Sequence, residues 1–272
     1  MIGFLEEHGA GARLLAGGTD LTVDLHYGHS IPPAVIDIKR ASDLSPVITE
    51  ADGWLTISAT VPLTDVEGNK TVRRCFPALA EAAAVVGSIQ IRNRATLVGN
   101  ICNASPAADT VPVLALYGAV VKILGRGGER SVPLVDFILG NRRAALVAGE
   151  LATAVCLPFP SEPFGSAFAR VTRRYGVDLA TVNLCCGIDG TGITSLAFGA
   201  VSPRPLVVQD RDGVLADPSA AADIKSVVLD ALISKASPIT DVRASKEYRL
   251  AMLKVLALRA QRRAAERLAK GK

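Results

Sequence analysis

Two glycine turns constrain this chain most strongly: Leu14-Leu15-Ala16-Gly17-Gly18-Thr19-Asp20-Leu21 and Thr96-Leu97-Val98-Gly99-Asn100. Each reads as an apolar strand that stops at glycine and resumes with small polar residues. Glycine admits positive φ and lets a bulky group lie against the main chain. Successive N–H groups in such a turn converge on an anion, usually a phosphate. Two of them in one domain imply a ligand with a diphosphate and a long body, such as a dinucleotide. The commoner phosphate motifs are excluded by pattern. Gly9-Ala10-Gly11-Ala12-Arg13-Leu14 lacks the last glycine of G-x-G-x-x-G, and no G-x-x-x-x-G-K-[ST] occurs.

Composition narrows the class. A chain of 272 residues, 49% hydrophobic and 21% charged, buries roughly three-quarters of its unfolded surface without metals or disulfides. That length favours two domains. Its five cysteines show neither a disulfide framework nor zinc spacing, which fits reduced thiols and a cytoplasmic protein. Cys102 and the adjacent Cys185 and Cys186 read as small buried apolar residues. His26 and His29 read as surface residues of a polar loop, so no metal site is expected. There is no basic start with an apolar run to mark a signal peptide. No stretch approaches the roughly 18 apolar residues of a membrane span, so a soluble protein is expected. The net charge of +4 is uneven: ten Lys or Arg against two Glu make residues 243–272 net +8, leaving −4 elsewhere. With aromatics at 4%, that tail lacks the base-stacking platform of a nucleic-acid site. It reads as a cationic final helix.

Along the chain, Gly3 to His8 reads as the last turn of a helix, and strands are expected at Arg13 to Ala16, Ala34 to Ile38 and Trp54 to Ala59. A helix over Leu79 to Val86 precedes the second glycine segment. Ser105-Pro106 is expected to open another helix as N-cap and first residue, which puts Asp109 in its first turn. The apolar tract Val113 to Leu124 ends in a hairpin-like turn at Gly125-Arg126-Gly127-Gly128, and Val147 to Leu157 reads as strand. After a boundary at Pro160-Ser161-Glu162-Pro163 come consecutive strands at Ala167 to Val171, Val182 to Ile188 and Ile193 to Val201. Helices near Asp217 to Lys235 and Ser245 to Lys270 complete an α+β order.

The segments Leu15–Leu21, Ile91–Asn100 and Asn103–Asp109 resemble the FAD-binding medium subunit of the molybdenum hydroxylases. That family includes the flavin subunits of xanthine dehydrogenase and carbon monoxide dehydrogenase. Gly140–Leu146, Gly149-Glu150-Leu151, Arg170–Arg174 leading to Asp178-Leu179-Ala180, and Asp241–Ser245 with Tyr248-Arg249 agree, so the likeness covers nearly the whole chain.

The resemblance implies a two-lobed FAD-binding domain of the PCMH type over residues 1–160, with lobes of about 1–53 and 54–160. A C-terminal α+β domain, an antiparallel sheet with helices, would follow over 164–272. It implies noncovalent FAD with its diphosphate on Leu14, Leu15, Ala16, Gly17, Gly18, Thr19, Asp20 and Leu21, facing a second wall of Thr96, Val98, Gly99 and Asn100. Ser105 and Asp109 would meet cofactor hydroxyls, and Val86, Ala152 and Arg170 would line the rest. A second glycine is usual in the family where Val98 stands here. Members also begin about a strand and a helix earlier, which leaves a late start codon or a natural truncation as the two readings.

The implied partners form a heterotrimer with this chain: a large subunit with the molybdenum cofactor and a small subunit with two-iron–two-sulfur clusters. Electrons would run from molybdenum through the clusters to this flavin, and on to NAD+ or another acceptor. No catalytic acid or base and no metal ligand is expected on this chain, and it has no cysteine cluster for an extra iron–sulfur centre. Two other readings stay open. One is a self-contained flavin oxidoreductase of the wider FAD-binding superfamily, although no histidine follows residue 29 to make a histidyl link. The other is a flavin-free scaffold subunit.

Overall fold

Alternation builds the central sheet. In Trp54–Ser58, Leu55 and Ile57 are buried while their neighbours are half-buried, and they face Leu157 and Val155 of Leu151–Pro158 across an antiparallel ladder. The computed structural model describes residues 2–29 and 31–271; the expected domain ends Met1 and Lys272 lie outside the described residues. The full sheet runs Ile48–Ala51, Trp54–Ser58, Leu151–Pro158, Val120–Gly125, Gly128–Pro133, antiparallel throughout. Helices Leu63–Gly68, Pro77–Ala84, Leu97–Cys102 and Thr110–Leu116 close its core with Leu63, Leu79, Phe76, Leu97, Ile101 and Leu114. Ahead of it, Arg13–Leu15 and Val35–Asp37 pair in parallel, joined through the short helix Leu21–His26.

The second sheet is Phe164–Val171, Val182–Asp189, Thr194–Gly199, Leu206–Asp210, again antiparallel in chain order. Both of its faces are covered. Leu184, Cys186, Leu196 and Phe198 join a core with the terminal helix Lys246–Lys270. Phe168, Cys185 and Ala197 point the other way into the first core. Strands covered on both sides read as continuous apolar runs rather than alternating ones. The cysteine pair therefore splits between two cores, each thiol fully buried.

The terminal helix begins where Ser245 Oγ accepts the Tyr248 N–H at 3.2 Å. Its positive charge is not all solvent-facing: Arg263 and Arg267 both pair with Glu81 of Pro77–Ala84. Glu81 also accepts the Phe168 N–H at 2.9 Å, which ties the first core to the second sheet. Among the described residues no helix is long and apolar enough to cross a membrane.

Several expectations are corrected. The second glycine segment is no strand: Thr96 caps the helix Leu97–Cys102, its Oγ1 accepting the Gly99 N–H at 3.0 Å. Its apolar residues Leu97, Val98 and Ile101 lie on one buried helical face, a spacing that a short apolar run does not distinguish from strand. Only an isolated bridge from Thr96 to Pro62 is sheet-like. Ser105-Pro106 forms a turn, with Ser105 Oγ accepting the Ala107 N–H at 3.4 Å, and the helix starts at Thr110 instead. The tract Val113 to Leu124 divides into that helix, a turn at Gly118 and the strand Val120–Gly125. The strand expected from Val147 begins at Leu151, because Glu150 draws the chain into a turn by accepting the Val147 N–H at 3.0 Å. The helix expected from Asp217 begins at Ala222; Asp217 instead holds a turn, accepting from Ser219. Strands Ile48–Ala51 and Leu206–Asp210 escape the sequence reading, the first because it is short and only Ile48 in it is not exposed.

Candidate functional site

The two glycine turns, about eighty residues apart in sequence, lie against each other. A Cβ on Gly17 would stand 2.0 Å from the Arg94 carbonyl oxygen and 2.8 Å from Ala95 Cα. The first turn thus rests directly on the backbone that leads into the second. Gly18 takes φ +80°, a conformation that side chains resist, and its carbonyl accepts the Thr22 N–H and hydroxyl. Asp20 sits at the cap position of Leu21–His26 without capping it. Its carboxylate accepts from Asn103 Nδ2 at 3.1 Å instead, and Asn103 Oδ1 accepts from Arg142 at 2.7 Å.

Among the described residues, the N–H groups of Gly17, Gly18, Thr19 and Asp20 have no hydrogen-bond acceptor. The Val98 N–H, at the second position of a capped helix, has none either. Backbone donors rarely go unpaired unless water or a ligand takes them. This donor set suits a polyanion and fits the diphosphate of FAD.

From the second turn the contacts run on. Asn100 Oδ1 accepts from Thr110 Oγ1 at 2.6 Å, beside Asp109. Asp109 is buried, and its two oxygens accept from Arg170 at 2.6 Å and from Asn183 Nδ2 at 2.8 Å. A carboxylate offers about four acceptor sites, so sites remain for hydroxyls. Burial pushes the Asp109 carboxyl above its ordinary value, opposed by the Arg170 charge and by hydrogen bonds from Asn183 and Arg170.

A raised carboxyl pKa means that the folded chain holds the proton to higher pH than the unfolded chain. The group's contribution to stability is therefore present below the ordinary value of 3.8 and lost as pH rises above it. Arg170→Met removes the main counterweight. It is expected to cost about 3 kcal/mol near neutral pH and visibly less in acid. Urea unfolding at about pH 4.5 and about pH 7.5 checks this; an equal loss at both would contradict it.

The expected residues do not all converge. Leu14 and Leu15 lie on Arg13–Leu15, with Ala16 to Asp20 in the turn and Leu21 opening the helix. Thr96, Val98, Gly99 and Asn100 face them from Leu97–Cys102 and its cap, and Asp109 and Arg170 follow. Ala152 is buried within the central sheet opposite Ile123. Val86 lies two residues beyond the helix Pro77–Ala84, its carbonyl 3.5 Å from Arg92 Nη1. Among the described residues no hydrogen bond ties either to the turns. A concavity of about 390 Å³ at the Gly125–Gly128 turn and Val147–Glu150, edged by Glu6, Arg126 and Arg130, shares no residue with them.

Sequence reasoning missed Lys39, Asn103 and Asn183. Asn183 had a signal: one amide in an otherwise apolar strand. The Gly149-Glu150-Leu151 motif also acquires a structural reason, since Glu150 takes a two-pronged ion pair from Arg130 at 2.7 and 2.6 Å.

Comparison with known proteins identifies the family. Residues 1–160 match the family described as the FAD binding domain in molybdopterin dehydrogenase, and residues 166–264 match the CO dehydrogenase flavoprotein C-terminal domain. The xanthine dehydrogenase FAD-binding subunit of Escherichia coli O157:H7 is 30% identical over 250 residues, covering 90% of this chain and 86% of that one. The carbon monoxide dehydrogenase medium chain of Hydrogenophaga pseudoflava is 28% identical over 255 residues, covering 92% and 88%. A solved structure of carbon monoxide dehydrogenase from Hydrogenophaga pseudoflava superposes with TM-score 0.89 at 27% identity, over 98% of this chain and 93% of that one. Quinoline 2-oxidoreductase from Pseudomonas putida 86 gives 0.86 at 27% identity, over 97% and 93%. On matched family, whole-length relatives and superposed fold together, this chain belongs to the FAD-binding subunits of the molybdenum hydroxylases.

Proposed function

We propose that this chain is the electron-transfer flavoprotein of a cytoplasmic heterotrimer. It takes electrons from the iron–sulfur clusters of a small subunit, fed by molybdenum on a large subunit, and passes them to NAD+ or another acceptor. FAD would be held between the lobes 1–53 and 54–160 of the first domain. FAD supplies the redox chemistry, accepting single electrons and releasing them in pairs; binding, orientation and electrostatics are the protein's part.

The N–H groups of Gly17, Gly18, Thr19 and Asp20 take the diphosphate, between Leu14–Ala16 and Leu21 on one side and Thr96, Val98, Gly99 and Asn100 on the other. Asp109, kept available by Arg170 and Asn183, accepts from cofactor hydroxyls together with Ser105. Arg170 lies beside Asp109, and Val86 and Ala152, which no hydrogen bond among the described residues ties to the turns, would meet more distant parts of the cofactor. No side chain here is assigned to proton transfer, since substrate oxidation falls to the large subunit.

The observation that carries this reading is the contact of the first glycine turn with the backbone entering the capped helix Leu97–Cys102, beside backbone donors that have no acceptor among the described residues. Titrating the purified chain with FAD tests it. One flavin per chain is expected, with quenched fluorescence, and co-expression with the two partner subunits is expected to yield a complex whose flavin is reduced by substrate. A chain that stays colourless in saturating FAD overturns the proposal in favour of a scaffold role. Substrate turnover by the isolated chain overturns it in favour of a self-contained flavin oxidoreductase.

A further inference from the structure

Against the carbonyls that lead into the first glycine turn lies Lys39. It follows the strand Val35–Asp37 and belongs to none of the motifs that carry the family resemblance. Its ammonium donates to the Ala16 carbonyl at 2.7 Å, to the Leu15 carbonyl at 3.4 Å and to Asp37 Oδ1 at 2.6 Å. Asp37 is anchored in turn, accepting the Lys39 N–H at 3.1 Å. The hydrogen bond from Lys39 holds its carboxyl below the usual carboxylate range.

Those two carbonyls are not arbitrary. In a trans peptide the C=O and the following N–H point in opposite directions within one plane. A cation that draws the Ala16 oxygen toward itself therefore turns the Gly17 N–H to the opposite side. Its grip on the Leu15 oxygen does the same for the Ala16 N–H. The chain then enters the turn with its first donor already aimed, and Gly18 at φ +80° continues the curve. Without the ammonium, the Ala16 carbonyl would lose its side-chain donor, and the first peptide plane of the turn could rotate.

We propose that Lys39 is a positioning residue for the cofactor: it orients the backbone donors that grip the diphosphate while touching no part of FAD. The proposal rests on the reading of these turns as the diphosphate site. It assigns a role to a side chain in the one-turn helix Ile38–Arg40, after the neighbouring strand, that holds carbonyl oxygens of the turn and no phosphate.

The test uses the full-length chain with FAD itself. In Lys39→Met the Kd for FAD is expected to rise about tenfold, the effect of losing a charge-assisted hydrogen-bond set. The phosphorus-31 resonances of bound FAD are expected to shift, while its visible absorption bands and the far-UV circular dichroism stay unchanged. Lys39→Arg keeps a cationic donor and is expected to recover most of the affinity. Unchanged affinity and phosphorus resonances in Lys39→Met would overturn the proposal. So would a loss shared by the visible spectrum and the melting temperature, or a loss that Lys39→Arg fails to reverse. A wild-type chain that retains no FAD would bring down the diphosphate reading, and this proposal with it.

Discussion

Gly17→Ala is expected to strip the purified chain of flavin while leaving most of its helix and strand signal in place. The new methyl carbon would meet the Arg94 carbonyl oxygen at 2.0 Å, the Arg94 carbonyl carbon at 2.6 Å and Ala95 Cα at 2.8 Å. All three are backbone atoms, so no rotamer change relieves the clash. The two turns have to part by about 1 Å to restore ordinary contact distances. Donors set on opposite walls then no longer reach one diphosphate together. Losing two charge-assisted hydrogen bonds at about 1.5 kcal/mol each weakens binding about a hundredfold. The flavin-to-protein ratio after desalting, with calorimetric titration of added FAD, measures this. Near wild-type affinity would remove the contact between the turns from the account of binding.

Gly165→Ala is expected to give the largest loss of stability of any single methyl addition considered. Its Cβ would stand 2.1 Å from the Ala264 carbonyl oxygen and 2.6 Å from the Leu268 backbone nitrogen. The terminal helix would have to lift from the strand Phe164–Val171 at the point where Arg263 and Arg267 reach Glu81. Overpacking of this kind costs about 3 kcal/mol, and loosening the partly buried ion cluster adds to it. For a chain of this size that corresponds to a melting temperature lower by roughly 6–12 °C. Differential scanning calorimetry of the flavin-free protein is the measurement, and a shift under about 2 °C would show that the helix accommodates the methyl.

What was legible in the sequence was whatever a few neighbouring residues decide among themselves. Ser245 before a long helical pattern located the terminal helix to within a residue. The three glycines at 125–128 located a hairpin. The misreadings have two sources: side chains that close a cap or turn two or three residues away, as at Thr96 and Glu150, and contacts that arrive from far along the chain. Asp109 does stand at the head of a helix, Thr110–Leu116, but its carboxylate leaves that helix uncapped and is taken by Arg170 and Asn183, some sixty and seventy residues later. Thr96 looked like strand because its capping role shows only once the Gly99 N–H is seen to turn back to it. Lys39 was invisible as a site residue because what it holds is carbonyl oxygen, which every residue has and no motif records. The order of the two glycine turns could be read off the chain. Their mutual contact could not, since it depends on Gly17 resting on a backbone about eighty positions away.

The split allegiance of Cys185 and Cys186 has a consequence for how such a chain can change. Side chains along a strand alternate, so one inserted or deleted residue within Val182–Asp189 would trade every inward group for its opposite number. A polar-for-apolar exchange on a solvent face is survivable; here both faces are interior, and the swap would misfit two cores at once. The strand's length is in effect frozen. Drift in this half of the molecule must be absorbed at its turns, such as Gly190 to Gly192, where the chain reverses in the open.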